Sequence, residues 1–354
     1  MKYASKHDAK QWSMETFCSG RAGLIATIPT PFHDDTLEIH EEDLRNTVRY
    51  VIDTKNDGLF FLGNVGEFYS LTREERMKVA EIVVDEAKGK IALMPQTAHH
   101  SAREAIMLSQ HAQEAGCDLV VLLTSYFQCA TQQAIGEWWR EVCDKLEIGA
   151  VFYDSPLSHL ATSDTLAGLA LEIPNIVGVK DGRPDLMWCS DVERKADYKI
   201  WVSDPLEDHW PQEMKVMKNP VMCTCWHLWL LQQPGYTPIR DYSDLIMSGK
   251  WEEGLKKYNE IEAGRQLLNE FFWPNYRKGV YVVAFWKYWL ELKGVVSGHK
   301  VRSPLLNMTE EEEDWLKGRV ELLAKGEGPV TMGPLTPYPL QVGDSSPATA
   351  TGSM

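Results

Sequence analysis

Runs of apolar and β-branched residues alternate with amphipathic stretches along most of the chain. The apolar runs occupy 22–29, 58–63, 91–97, 118–126, 149–154, 176–181, 198–204 and 220–226. Most runs are followed by a stretch whose apolar positions recur every three or four residues, which is the period of a helix with one buried face. The pattern therefore predicts about eight successive units of β-strand and α-helix.

Capping residues mark where several of these helices begin and end. Thr72 and Ser101 are each followed three residues later by a glutamate, which is the spacing of a capping box, and Gly116 is suited to end the helix that follows Ser101. The predicted helices are 41–55, 71–90, 101–116, 131–146, 163–172, 185–196 and 207–218.

Parallel strands covered on both sides are apolar throughout, so this alternation predicts an α/β fold, a (β/α)8 TIM barrel. An open doubly wound sheet is the alternative, but no strand is followed by the Gly-x-Gly-x-x-Gly sequence of dinucleotide-binding folds. After 226 only helices are predicted, at 241–272, 276–293 and 309–325. We divide the chain into an N-terminal segment (1–20), the barrel (21–240), C-terminal helices (241–325) and a flexible tail (326–354).

The composition argues against nucleic acids and membranes as partners. The 354 residues carry 36 Lys and Arg against 51 Asp and Glu, a net charge of -15, so no basic surface for nucleic acid is expected. No apolar run approaches the ~20 residues that span a bilayer. The N-terminus lacks the apolar core of a signal peptide, and the odd number of cysteines fits a reducing compartment. We therefore expect a cytoplasmic protein without nucleic-acid or membrane partners.

No metal or other cofactor is expected at the carboxyl ends of the strands, where barrels of this class place their active sites. His99 and His100 are adjacent, and His227 stands alone after the eighth strand. Cys223 and Cys225 are too close together for a Cys-x-x-Cys motif.

Lys180 and Tyr153 form a candidate reactive pair. Lys180 ends the sixth strand and Tyr153 the fifth, and because adjacent strands lie about 4.8 Å apart, the two side chains are expected to meet. A desolvated amine can attack a ketone to form a Schiff base, and a neighbouring phenol can relay protons. The alternative is a rim ion pair of Lys180 with Asp181 or Asp204, with Tyr153 capping the core.

The segment FLGNVGEFYSLTREER (61–76) runs from a strand into a tight turn and then a helix. Backbone N–H groups of such a turn can point at an anion. An ordinary βα turn is the alternative, but its place after the second strand puts it at the same end of the barrel as Lys180 and Tyr153.

Four motifs in this order resemble the dihydrodipicolinate synthase and N-acetylneuraminate lyase superfamily of Schiff-base aldolases, over roughly residues 20–300. They are IPTPF (28–32), GNVGE (63–67) in the place of the family's Gly-x-x-Gly-Glu turn, FYDSP (152–156) in the place of its Tyr-x-x-Pro element, and GVKD (178–181) with its lysine. The resemblance implies Lys180 as the Schiff-base lysine, Tyr153 as the proton-relaying phenol, and the Asn64 and Val65 positions as the cradle of a pyruvate carboxylate. It also implies a homotetramer that binds a small keto acid.

Departures from the family pattern bear on the substrate. Dihydrodipicolinate synthases carry an arginine for a second carboxylate shortly after the Tyr-x-x-Pro element, whereas this chain reads YDSPLSHLAT (153–162). Phe127 stands where those enzymes have a second tyrosine. Aspartate semialdehyde is therefore a poor candidate substrate.

At two further positions the chain resembles the hydratase-aldolases of aromatic hydrocarbon breakdown, which act on trans-o-hydroxybenzylidenepyruvate (benzalpyruvate) substrates. CTCWHLW (223–229) places Trp226 after the eighth strand, and WPNYRKG (273–279) places Asn275 in the C-terminal helices. The resemblance implies that both bind substrate. A core aromatic and a helix N-cap after Pro274 are the structural alternatives.

The resemblance implies an aldolase with hydratase activity that cleaves an arylidene pyruvate to an aromatic aldehyde and pyruvate. Three alternatives stay open: a sugar-acid dehydratase or lyase, a condensing enzyme of the same superfamily, and a non-catalytic keto-acid-binding barrel. The sugar-acid enzyme would need hydroxyl-binding groups in place of Trp226. The non-catalytic barrel would bind pyruvate without forming an imine.

Overall fold

The computed structural model describes residues 2–127, 131–183, 185–224, 227–277 and 282–324. In this part of the chain eight parallel strands are buried at every position. They are β1 Gly23–Thr27, β2 Gly58–Phe61, β3 Ala92–Pro95, β4 Leu119–Leu123, β5 Gly149–Asp154, β6 Ile176–Asp181, β7 Trp201–Ser203 and β8 Val221–Thr224.

These strands close into a barrel. One set pairs in the order β3, β2, β1, β8 and the other in the order β4, β5, β6, β7. Parallel bridges between Gln96 and Val121, and between Val202 and Pro220, join the two sets at both seams. The prediction of a (β/α)8 TIM barrel is confirmed.

Helices of the described residues cover the barrel and extend beyond it. They are α1 Ala9–Cys18, α2 Glu41–Asp53, α3 Arg73–Ala87, α4 Ala102–Ala115, α5 Gln132–Asp144, α6 Ser163–Glu172, α7 Leu186–Lys195, α8 Trp210–Val216, α9 His227–Leu230, α10 Pro238–Met247, α11 Trp251–Asn259, α12 Glu262–Arg277, α13 Val283–Leu292 and α14 Glu310–Ala324. None of these helices has the length and apolar character needed to cross a bilayer.

Several helix boundaries differ from the predictions. Thr72 and Glu75 form the reciprocal bonds of a capping box, but the side chain of Ser101 makes no capping bond to α4. The predicted helix 241–272 is divided among α10, α11 and α12, and Pro274 lies inside α12. Asn275 is therefore not an N-cap. The predicted tail (326–354) lies outside the described residues.

The N-terminal segment contains a helix that its sequence did not predict. Trp201, at the start of β7, donates from Nε1 to Ser13 Oγ of α1 at 2.8 Å, and its ring lies 6.0 Å from that of Phe17. Tyr3 Oη accepts a bond from Gly149 N, at the start of β5, at 2.6 Å. The segment therefore covers the amino end of the barrel.

The C-terminal helices are tied to the carboxyl end of the barrel and to one another. Lys287 of α13 lies 2.5 Å from Glu67, which follows β2. His299 bonds to Glu291 of α13 at 2.6 Å and to Glu313 of α14 at 2.9 Å. Burial lowers the pKa of His299, but the bonds to the two glutamates outweigh burial and raise it above its ordinary value.

Candidate active site

Lys180 and Tyr153 are register partners at the ends of β6 and β5. Their side chains are 2% and 6% exposed, and Lys180 Nζ lies 4.4 Å from the centroid of the Tyr153 ring. Phe60 of β2 packs edge-on against Tyr153 at 6.4 Å between ring centroids. Because β2 and β5 are not neighbours in the barrel, this contact crosses its interior. The structure thus brings the predicted pair together inside the barrel.

The turn after β2 lies beside this pair. Asn64 Nδ2 donates to Tyr153 Oη at 3.3 Å, and both Asn64 and Val65 are buried. A Cβ atom on Gly66 would collide with the backbone of Leu62, so the tight turn requires glycine at this position. The turn predicted to cradle a carboxylate therefore contacts the candidate tyrosine through Asn64.

Glu67 ends this turn in a left-handed backbone conformation, with φ 55°. Its buried Oε1 lies 2.5 Å from Lys287 Nζ, and its Oε2 accepts a bond from the backbone N of Arg302 at 2.9 Å. Burial lowers the pKa of Lys287, and the Glu67 carboxylate opposes that shift. The Arg302 side chain also bonds to both carboxylate oxygens of Glu75, at the start of α3. The C-terminal region therefore holds the turn in place.

Asp154 and Asp181 each follow a member of the candidate pair and, by strand alternation, face away from the barrel interior. The guanidinium of Arg183 contacts both of their carboxylates. Burial raises the pKa of Asp181 to about 8. Because Arg183 contacts these two carboxylates, its guanidinium lies on the outer face of β5 and β6, opposite the face of Lys180 and Tyr153.

The other predicted substrate contacts, Trp226 and Asn275, stay predictions. Trp226 lies outside the described residues, so its contact with an aromatic substrate stays a prediction. Asn275 lies in the last turn of α12, where its Nδ2 donates to Phe271 O at 2.7 Å. One proton of the Asn275 amide is thus used within its own helix. Phe127 is 71% exposed after β4.

The sequence analysis predicted no function for two polar residues on the barrel wall. Gln96 and Thr27 are buried, and their side-chain polar atoms have no hydrogen-bond partner among the described residues. Their positions at strand ends are visible in the sequence, but a missing partner is visible only in the structure. Nor does any sequence pattern connect Glu67 with Lys287, which lie far apart in the chain.

Comparisons with known proteins identify the family of the chain. The family model described as the dihydrodipicolinate synthetase family matches residues 21–233. The 4-hydroxy-tetrahydrodipicolinate synthases of Syntrophus aciditrophicus (strain SB) and Methanothermobacter thermautotrophicus (strain Delta H) are 33% and 31% identical over 178 and 167 residues. These matches cover 49% and 46% of this chain, and 60% and 58% of the two relatives. The chain thus matches little more than half the length of either relative.

Solved structures share the fold. Dihydrodipicolinate synthase from Aquifex aeolicus has a TM-score of 0.74 at 22% identity, covering 87% of this chain and 99% of that one. YagE, a prophage protein of the dihydrodipicolinic acid synthase family from E. coli K12, solved in complex with pyruvate, has a TM-score of 0.75 at 22% identity, covering 85% and 98%. These likenesses show the fold, and the family model spans more than half of the chain. The chain belongs to the dihydrodipicolinate synthetase family.

Proposed function

We propose that this protein is a class I pyruvate hydratase-aldolase, which cleaves an arylidene pyruvate into an aromatic aldehyde and pyruvate. The proposal rests on one observation above all, the buried contact of Lys180 Nζ with the Tyr153 ring at 4.4 Å. An enclosed amine beside a phenol is suited to imine formation and proton transfer. A structure of the same fold, YagE, was solved in complex with pyruvate, which supports a keto acid as the ligand.

The first half of the reaction is imine formation and hydration. Lys180 in its neutral form attacks the C2 carbonyl of the keto acid, and loss of water gives an iminium. The substrate carboxylate lies against the turn at Asn64 and Val65, where backbone N–H groups can bind an anion. The iminium withdraws electrons from the C3–C4 double bond, so that water adds at the benzylic C4 and C3 gains a proton.

The second half is carbon-carbon cleavage. Tyr153 relays the proton of the new C4 hydroxyl: its oxygen accepts that proton and its own phenol proton goes to C3, as the C3–C4 bond breaks and the aromatic aldehyde leaves. The electron pair of that bond stays on the enamine of Lys180, C3 is protonated, and water hydrolyses the imine to release pyruvate. In sum, the substrate and one water give the two products.

Two further residues complete the proposed pocket. Trp226 would stack on the aromatic ring of the substrate. Asn275 would orient the C4 oxygen with the part of its amide that the bond to Phe271 O leaves available. We also propose that the protein is a cytoplasmic homotetramer. Sedimentation equilibrium tests the number of subunits directly.

Borohydride trapping tests the chemistry. Incubation with pyruvate and borohydride should attach a reduced pyruvyl group to the peptide that contains Lys180, and Lys180→Ala should remove both the adduct and the cleavage of benzylidenepyruvate. Lys293 provides a matched control. Burial lowers its pKa to about 8, and its Nζ is bound to the carbonyls of Leu230 and Gln232. Trapping on Lys293, or an unmodified Lys180 during turnover, would refute the proposal.

A condensing enzyme is the second candidate, because the curated relatives are named 4-hydroxy-tetrahydrodipicolinate synthases. Against it, Arg183 is bonded to Asp154 and Asp181 and is not positioned for a second substrate carboxylate. Pyruvate consumption with aspartate semialdehyde, measured beside aldehyde release from benzylidenepyruvate, separates the two candidates.

A further inference from the structure

Two buried polar side chains inside the barrel have no hydrogen-bond partner among the described residues. Gln96 is 0% exposed and Thr27 is 1% exposed. In the part of the chain that the structure describes, Gln96 Oε1, Gln96 Nε2 and Thr27 Oγ1 all lack a partner. Buried polar groups in folded proteins are nearly always paired, so such an exception indicates a ligand or an ordered water.

The neighbouring residues fix the direction in which Gln96 points. Thr97, the next residue, bonds through Oγ1 to Ser109 Oγ of α4 at 2.7 Å, so Thr97 faces the helices. Because successive side chains of a strand alternate, Gln96 faces the barrel interior. Its bridge partner Val121 lies two residues before Leu123, the register partner of Tyr153. Gln96 is therefore on the same inner wall as the candidate pair.

Thr27 faces the same interior from the other side of β2. It is the register partner of Phe60, whose ring reaches across the barrel to Tyr153. β1 and β3 flank β2, which continues into the turn that carries Asn64. Thr27 and Gln96 therefore stand on either side of the proposed carboxylate cradle.

The chemistry of an amide identifies the group that would satisfy it. Gln96 offers a donor at Nε2 and an acceptor at Oε1, and both are unused. A carboxylate only accepts and would leave Oε1 without a donor, whereas an O–H group both donates and accepts. The hydroxyl of Thr27 has the same double capacity. The complementary ligand is therefore a water or a hydroxyl.

We propose that Gln96, assisted by Thr27, binds the oxygen that enters as water and becomes the C4 hydroxyl of the substrate. This inference rests on the proposed function. The water oxygen bonds to C4 as the π electrons of the C3–C4 bond move toward the iminium nitrogen. One water proton passes to the oxygen of Tyr153 as the phenol gives its own proton to C3, and the amide of Gln96 neither gains nor loses a proton. Gln96 orients the oxygen and does not act as a base.

Gln96→Leu tests the assignment, because leucine keeps most of the volume and removes both polar atoms. Trapping of pyruvate on Lys180 should stay within about twofold of the wild type. The kcat/KM for hydration of benzylidenepyruvate, followed by loss of the conjugated chromophore, should fall about 10- to 100-fold, the effect of losing one oriented hydrogen bond. Thr27→Val, which is isosteric, should show a smaller loss in the same direction.

A second substrate distinguishes the two sources of the O–H group. With preformed 4-hydroxy-2-oxo-4-phenylbutanoate, normal cleavage by Gln96→Leu indicates that the residue holds only the incoming water. A parallel loss indicates that it also holds the hydroxyl. Unchanged hydration overturns the proposal, as does a loss of pyruvate trapping equal to the loss of hydration, which would show a structural role. Loss of hydration in Asn275→Ala but not in Gln96→Leu would assign the oxygen to Asn275 instead.

Failure of the proposed function gives a different result. In that case the wild type would trap pyruvate on Lys180 but turn over sugar-derived keto acids and not benzylidenepyruvate. The role of Gln96 is then tested by letting 4-hydroxy-2-oxobutanoate and 2-oxobutanoate compete for trapping on Lys180. A preference for the hydroxylated acid in the wild type that Gln96→Leu abolishes supports the assignment, and an unchanged preference overturns it.

Discussion

The buried ion pair between Glu67 and Lys287 makes the strongest prediction about stability. The two charged atoms lie 2.5 Å apart, and the side chains are 0% and 1% exposed. Lys287→Met would leave the Glu67 carboxylate buried, with the backbone N–H of Arg302 as its remaining donor among the described residues. Removing one partner of such a pair costs about 3–5 kcal/mol. That is a large share of the roughly 5–15 kcal/mol that stabilises a typical protein.

A double-mutant cycle measures this coupling. Urea unfolding followed by tryptophan fluorescence and circular dichroism should give a loss of about 3–5 kcal/mol for Lys287→Met and for Glu67→Gln. The double variant should lose less than the sum, because no unpaired charge stays buried. Lys300→Met is the control. Lys300 and Glu313 form a partly exposed pair at 3.8 Å, whose removal should cost less than about 1 kcal/mol.

The same variants should affect the site. Since Glu67 ends the turn that carries Asn64 and Val65, Lys287→Met should raise the KM for keto acids more than it lowers kcat. Two results would contradict the reasoning: a loss of stability from Lys287→Met no larger than that from Lys300→Met, or additive effects of Glu67→Gln and Lys287→Met.

Three more variants test other parts of the structure. Tyr153→Phe should lower kcat for cleavage about 10²- to 10⁴-fold and leave trapping on Lys180 intact, and a normal kcat would exclude the phenol as the proton relay. Gly178→Ala should destabilise the fold, because its Cβ would overlap the indole of Trp201; an unchanged midpoint of urea unfolding would show that the ring can move. His299→Gln should cost most stability below pH 6.5, where the histidine is protonated in the folded and unfolded states alike. The difference from the wild type should shrink as the pH rises through the raised pKa of the folded protein, and a difference independent of pH would refute the ionic role.

The barrel and its reactive pair could be predicted because both depend on local patterns. Runs of apolar residues identify strands, and the strands 149–154 and 176–181 have the bounds that the sequence predicted. Once two neighbouring strands are known to be parallel, their ends are adjacent, so Tyr153 and Lys180 had to be close.

The features that escaped prediction depend on contacts between distant parts of the chain. α1 has no side-chain bond at its N-cap, and its stability comes from packing, including the bond from Trp201 to Ser13. Ser101 and Glu104 have the spacing of a capping box, yet Glu104 bonds to Arg73 at 2.7 Å. The spacing correctly predicted that a helix starts after Ser101, but the capping box does not form, because Glu104 is bonded to a residue of another helix.

The two ends of the barrel are connected through β6. Gly178 lies two residues before Lys180 and leaves room for the ring of Trp201, its register partner. Trp201 in turn donates to Ser13 of α1. The helix α1, which covers the amino end of the barrel, therefore packs against a residue that neighbours β6, the strand of Lys180. At the other end, Lys287 and Arg302 hold the turn through Glu67. Contacts from the N-terminal helix and from the C-terminal region therefore set the position of Lys180 relative to the turn. The apolar pattern of the barrel predicts that Lys180 and Tyr153 are neighbours, but it does not predict these contacts.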